Sequence, residues 1–251
     1  MVHLGKASNE ARIAAHLELA AQNKVAKSKQ FVHKKSGERE YGFCWSADRA
    51  QIAIISHIGD SFLVDAWSAL DKRHMQQWSI LSVNDAQWAP DNRRLAVAGG
   101  GQIQDGGFKG WSGWIYIYDA ETGKTIHKLQ HGSERVLASA VVWDPTGSFI
   151  VSGNVGGLVC IWDAIQGKLL ANATVHQTRI NSLAWSPDQK RIAAAGIEGQ
   201  VKILDAKTCD ELLSLGDTAR GVTQLAWSPD GRQLAGIDSD GSIVVWDASK
   251  G

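Results

Sequence analysis

Trp227-Ser228-Pro229-Asp230-Gly231 leads into Leu234-Ala235, an acidic turn at Asp240-Gly241, and an apolar run from Ile243 to Trp246 closed by Asp247. The same sentence recurs upstream, opening at Trp45, Trp88, Trp143 and Trp185. Four copies share one span from the opening Trp to a closing Asp: 45 to 65, 143 to 163, 185 to 205 and 227 to 247. The copy at Trp88 closes only at Asp119 and so carries an insertion that the others lack. All four prolines (Pro90, Pro145, Pro187, Pro229) stand two positions after an opening Trp. The repeat marks a chain built from like units, each burying its apolar faces against its neighbours.

Within a unit the local chemistry is that of short strands and tight turns. Ser-Pro-Asp-Gly makes a hairpin turn, because Pro presets φ and Asp and Gly tolerate turn geometry. A second apolar strand follows, as in Leu95-Ala96-Val97-Ala98 or Arg191-Ile192-Ala193-Ala194. Gly157, Gly199 or Gly241 then turns the chain into a third, such as Leu158 to Trp162. Short strands at regular spacing predict an all-β fold. Ala, Gly and Ser in the second strand suit the crowded middle of a radial blade.

Residues 29–251 therefore read as one domain and residues 1–28 as an N-terminal extension. From Asn9 to about Lys27 the extension lacks Pro and Gly and is rich in helix formers. Ser8 or Asn9 caps its start, and Ile13, Leu17, Ala20, Ala21 and Val25 form a narrow stripe at helical spacing. The prediction is a short helix that packs on the domain or docks a partner. Lys29–Val32 stands about as far before Trp45 as Lys168–Ala171 stands before Trp185. The last unit has no outer strand after Asp247, so the N-terminal strand is predicted to complete it and close a ring, which removes unpaired sheet edges.

The closing Trp162-Asp163 and Trp246-Asp247, their variants Tyr118-Asp119, Leu204-Asp205 and Val64-Asp65, and the Asp-Ala-x-x-Gly-Lys runs at Asp119 and Asp163 make the chain resemble the WD-repeat β-propeller family. The Trp-Ser-Pro-Asp-Gly hairpin is similar to that of many bacterial WD-repeat proteins. The resemblance implies an all-β propeller with five four-stranded blades in this chain, where the family mostly has seven: either a five-bladed ring or part of a larger propeller. The family also often carries a His, Ser or Thr, Trp and Asp network inside a blade. Here His131, Ser152 and Trp162 match in the third repeat, with Gly156 at the Asp position. In the fourth, His176 has Glu198, but Leu204 replaces the Trp; in the fifth, Gly236 replaces the hydroxyl residue beside Trp246 and Asp240.

Composition narrows the function. The 26 basic residues balance the 26 acidic ones, so no global field attracts nucleic acid or anionic lipid. Arg135, Arg179 and Arg220 are the residues a nucleic-acid reading would use. No apolar run is long enough to span a bilayer, the start lacks a signal-peptide layout, and Cys44, Cys160 and Cys209 are scattered; a cytoplasmic chain is expected. There is no G-x-S-x-G, P-loop or strand-anchored G-x-G-x-x-G, and His57 and His74 lack acid–base partner spacing. His127 and His131 share a strand face but lack two further zinc ligands. Asp238 to Ser242 opens like a calcium loop, but its twelfth position is Ser249, not Glu. No enzyme activity, cofactor or metal is expected.

The anomaly is the second-repeat insertion, Gly99 to Trp114, read as a Gly-rich, mobile loop between the second and third strands of its blade. The resemblance places it on the same face as the long lead-in between His131 and Trp143, on the adjacent blade. Phe108, Trp111 and Trp114, with Lys109, His131, Glu134, Arg135 and Arg179, are the candidate partner-binding residues, since aromatics and Arg dominate interface hot spots. Trp114 serves equally as a residue starting the next strand. The expected function is a non-catalytic scaffold for a protein or peptide. The alternatives are an accessory propeller of a larger kinase, ATPase or hydrolase, and a propeller whose central channel binds a small ligand.

Overall fold

The computed structural model describes residues 39–58, 61–105, 108–132, 136–216, 218 and 220–249. Among these residues five antiparallel sheets follow one another along the chain, each with its strands in sequence order. Blade 1 holds β1 (Arg39–Trp45), β2 (Gln51–Ile58), β3 (Ser61–Ser68) and β4 (His74–Ile80). Blade 2 holds β5 (Ser82–Trp88), β6 (Arg94–Asp105), β7 (Phe108–Asp119) and β8 (Thr125–Gln130). Blade 3 holds β9 (Ala138–Trp143), β10 (Phe149–Asn154), β11 (Leu158–Asp163) and β12 (Lys168–Thr174). Blade 4 holds β13 (Ile180–Trp185), β14 (Arg191–Gly196), β15 (Val201–Asp205) and β16 (Glu211–Leu215). Blade 5 shows three strands, β17 (Val222–Trp227), β18 (Gln233–Asp238) and β19 (Ile243–Asp247). The predicted helix over 9–27 and the closing strand at 29–32 lie outside the described residues.

The core is a series of slabs between successive blades. Strand alternation sends neighbouring side chains to opposite faces, so one strand feeds two slabs. In β6, Leu95 and Val97 pack toward blade 1, while Ala96 and Ala98 pack toward blade 3. In β14, Ile192 and Ala194 meet blade 3, and Ala193 and Ala195 meet blade 5. This is why the middle strands read as unbroken apolar runs.

The turns confirm the chemistry read from the repeat. Ser228 Oγ donates to Asp230 Oδ1 (2.6 Å) and accepts from the Gln233 N–H (2.9 Å), and Gly231 takes φ +68°. The closing Asp caps the next turn: Asp163 Oδ1 accepts the Ile165 and Gln166 N–H groups, both at 2.8 Å, and Asp205 accepts those of Lys207 and Thr208.

In blade 1 the structure corrects the repeat boundary. Ala69 N–H bonds the Ala50 carbonyl as Ala120, Ala164, Ala206 and Ala248 bond theirs. The closing pair is thus Trp67-Ser68, and the Val64-Asp65 assignment falls short of it. Asp65 is instead a buried mid-strand residue held by His74 Nε2 (2.9 Å) and Gln77 Nε2 (2.8 Å). A longer hairpin happens to carry an acid at the expected offset.

Three recurrent latches tie each blade to the next. The residue six after the opening Trp reaches the following blade's turn: Gln51 bonds the Asn92 carbonyl, Arg94 that of Gly147, Arg191 that of Gly231. The residue four before the Trp reaches the next inner strand: Asn84 to Ala138 O, Ser139 to Ile180 O, Asn181 to Val222 O. Trp143 and Trp227 donate Nε1 back to the Gln87 and Ala184 carbonyls. In blade 5 the counterpart Thr223 turns to its own Ile237 carbonyl. Ile243 and Val245, on the far face of that blade, are 71% and 56% exposed. The described strands form an arc of blades packed in chain order, and the strand expected to close the ring lies outside them.

Candidate interaction surface

The second-repeat insertion is not a loose loop. It lengthens one hairpin: β6 and β7 stay paired without a break from Arg94↔Asp119 out to Asp105↔Phe108. These are the two longest of the described strands. The insertion's glycines serve close packing. A Cβ at Gly99 would stand 1.9 Å from the Ser82 carbonyl oxygen, and one at Gly113 would stand 2.4 Å from the Val136 carbonyl oxygen. Those side-chain-free positions let the arm pass between the start of β5 and the lead-in to β9.

Along β7, Trp114, Tyr116 and Tyr118 alternate onto one face. Tyr116 stacks on Tyr118 (5.8 Å between centroids) and Trp78 stacks on Tyr118 (4.6 Å). Lys128 Nζ sits 4.1 Å from the Trp114 ring centre, a cation–π contact worth roughly 0.5–1 kcal/mol at an exposed site. Trp114 is thus a half-buried strand residue with one face already covered, as its alternative reading had it. Phe108, Lys109 and Trp111 lie on the same strand, opposite Asp105, Gln104 and Gln102; their side chains, and Glu134 and Arg135 altogether, fall outside the described part.

His131 is not a surface residue. It is fully buried beside Trp162, 6.3 Å between ring centroids, and neither ring nitrogen has a hydrogen-bond partner among the described residues. Trp162 Nε1 donates to Ser152 Oγ at 2.8 Å, so of the third-repeat network the Trp–Ser bond forms, while His131 stands beside it without a bond among the described residues and Gly156 replaces the acid. Burial holds the His131 imidazole below its usual range and hence neutral. In blade 4 the acid is present: His176 Nδ1 meets Glu198 Oε1 at 2.6 Å, and Thr178 donates to Glu198 Oε2. His127, paired with His131 in the zinc reading, has Nε2 3.0 Å from the Ile165 carbonyl oxygen, a bond to the neighbouring blade's turn.

Arg179 belongs to a different feature. Together with Phe43, Phe62, Ser82, Asn84 and Asp85 it lines a cavity of about 300 Å3 where blades 1, 2 and 4 converge. Its Nη2 donates to Asn84 Oδ1 at 3.3 Å. Asp85 Oδ2 accepts the Val141 N–H at 3.0 Å. Sequence reasoning did not single out Asn84 and Asp85. The signal was present: Asp85 occupies the place that Ala140, Ser182 and Gln224 hold in later repeats.

Burial pushes the Asp85 carboxyl up to about 6, against the Val141 and Ala86 N–H groups and the Arg179 charge, which pull it down. The sign follows from linkage. Between the unfolded and folded values the folded chain keeps a proton that the unfolded chain has released, so this group's contribution falls as pH rises from about 4 to 6 and is flat above. Asp85→Asn keeps an acceptor for Val141 and removes the titration. Its stability relative to the parent should rise by roughly 1–2 kcal/mol across that window, a figure discounted for the solvent the cavity admits. Urea midpoints of both chains at pH 4 and pH 7 measure it; equal differences at the two pH values contradict it.

Residues 134–239 match a family model described as eukaryotic translation initiation factor eIF2A. Eukaryotic translation initiation factor 3 subunit I of Lodderomyces elongisporus is 28% identical over 153 residues, covering 55% of this chain and 41% of that protein. A chain in the crystal structure of the mitotic checkpoint complex superposes with a TM-score of 0.69 at 21% identity, over 86% of this chain and 64% of that one. The fold is that of a β-propeller, built from successive, mostly four-stranded antiparallel blades. The chain spans less than half the length of the curated relative and about two thirds of the solved one. Both similar proteins are named as parts of assemblies. Among the described residues no helix is long and apolar enough to cross a membrane.

Proposed function

We propose that this WD-repeat propeller is a non-catalytic platform that binds a protein or peptide on the face carrying the β6–β7 arm. One observation carries the reading: among the described blades, blade 2 alone extends its second and third strands into such an arm. A paired hairpin presents side chains with less ordering entropy to lose on binding than a loose loop would. Phe108, Lys109, Trp111 and Trp114 supply the contact residues, with Glu134 and Arg135 on the neighbouring lead-in; His131, being buried, has no part in it. The similar proteins' membership of assemblies supports a scaffold role. Recognition by a rigid, preformed arm is the mechanism, with no bond made or broken.

The test trims the arm without disturbing its base. Residues 103–110 are replaced by Asn-Gly, so that Gln102 and Trp111 flank a tight turn suited to a hairpin. Affinity capture from source-cell lysate with the intact chain should retain a partner that the trimmed chain loses, at equal thermal stability. Recovery of the same partners by both chains rules out the outer arm, with Phe108 and Lys109, as the binding element.

A further inference from the structure

The cavity between blades 1, 2 and 4 borders the base of the arm, through Ser82 and Val83, and has a chemistry of its own. Two aromatic side chains, Phe43 on β1 and Phe62 on β3, contribute to its wall from blade 1. Blade 2 contributes Asn84 and Asp85, and Arg179 comes from the segment leading into β13. Arg179 and Asn84 are far apart in sequence, so the site exists only in the folded arc.

Each polar group there is partly committed and partly open. Arg179 is half-buried, and its one hydrogen bond to a side chain goes to a neutral amide oxygen, that of Asn84. Burial lowers its pKa, yet a guanidinium stays charged in protein interiors. It has no carboxylate within ion-pair distance among the described residues, although it feels the field of Asp85. Asp85 Oδ2 is held by Val141, and Oδ1 has no side-chain donor among the described residues. A half-buried cation and a half-buried acid, near but unbonded, each lack the partner that a partly desolvated site favours. A ligand bearing only one charge would satisfy one group and repel the other.

We propose that this cavity binds a free α-amino acid with an aromatic or branched apolar side chain. The ligand carboxylate takes the open guanidinium donors of Arg179, its ammonium meets Asp85 Oδ1, and its apolar group lies against Phe43 and Phe62. A volume of about 300 Å3 is at the lower end for small-molecule sites. It suits an amino acid and is too small for a dinucleotide. The charge-assisted bonds are the strong ones, and the apolar wall selects the side chain.

L-phenylalanine and L-leucine are titrated into the full chain by calorimetry and by NMR of tryptophan and backbone signals. Phenethylamine and 3-phenylpropionate, each carrying one of the two charges, are the comparison probes. Saturable binding of L-phenylalanine, at least tenfold weaker for either single-charge probe and in Arg179→Gln or Asp85→Asn, supports the proposal. Both variants keep hydrogen-bonding groups at these positions, and circular dichroism and the unfolding midpoint report their fold. No saturation by either amino acid at tens of millimolar overturns it. Binding of 3-phenylpropionate as tight as that of L-phenylalanine also overturns it, making the cavity a simple anion site.

Discussion

Gly99→Ala is expected to lower the stability of the chain by about 3 kcal/mol and to loosen the β6–β7 arm. The added Cβ would lie 1.9 Å from the Ser82 carbonyl oxygen and 2.9 Å from its carbon. Both are backbone atoms, so no rotamer change relieves the overlap. Ser82 and Val83 stand just before the point where the β5–β6 register shifts, between Val83 and Asp85. Separating the strands there displaces the inner strand that carries Asn84 and Asp85. Overpacking of a well-filled interior commonly costs about 1–3 kcal/mol, and a backbone obstruction belongs at the top of that range. Gly101→Ala is the internal control: its Cβ would meet only the Tyr116 hydroxyl, at 3.9 Å, and should change stability by less than about 0.5 kcal/mol. Urea unfolding of the two variants side by side measures the effect. If both behave alike, close approach is not the reason the insertion is rich in glycine.

Arg191→Ala is expected to cost about 3–4 kcal/mol and to release blade 5 from blade 4. Arg191 donates to the Ala248 carbonyl at 2.7 Å and to the Gly231 carbonyl at 2.6 Å, and its guanidinium lies 4.7 Å from the Trp227 ring centre. Hydrogen bonds from a charged donor contribute about 1.5–3 kcal/mol each, and the cation–π contact adds roughly 0.5–2 kcal/mol. Water reaching the freed carbonyls returns part of that total, which sets the figure. Arg191→Lys should recover little, because a single ammonium lacks the planar fork that reaches two carbonyls while lying on an indole. Hydrogen exchange in β17–β19 should accelerate more than in β5–β8; uniform acceleration would count against a local latch. The converse change tests the same principle. Phe149 holds the latch position in blade 3 and is 38% exposed. Phe149→Arg places a guanidinium near the Gln189 carbonyl and Trp185, and should add about 1 kcal/mol.

Several features were legible before any coordinates because they are local. The Ser-Pro-Asp-Gly turn and the closing Asp each bond backbone groups close by in sequence, so spacing alone reveals them. The apolar runs of β6 and β14, flanked by turn residues, were legible as strands. Trp162 with Ser152, and His176 with Glu198, were likewise visible as pairs within one blade. Where the sequence misled, a local sign had a non-local cause. Asp65 matched the closing offset by chance, because the first hairpin is longer and the backbone bond from Ala69 to Ala50 sets the true boundary. Gly99 and Gly100 read as mobility, whereas the partner strand and the next blade's lead-in demand an absent side chain there. His131 looked available beside a long lead-in and is instead sealed under Trp162.

The sequence by itself determined the repeat, its turns, the all-β class and the blade as the folding unit, since each rests on backbone geometry and side chains close together in the chain. Only the tertiary structure decided which blade faces are covered, that Ile243 and Val245 stand open at the far end of the arc, and that Arg179 meets Asn84 beside Asp85. The physical reason is distance along the chain. A period of two tells which side of a strand a residue takes, but not what packs against that side. Blades pack across a whole repeat of sequence or more, so the character of a channel-lining residue emerges only once several repeats have been brought around one axis.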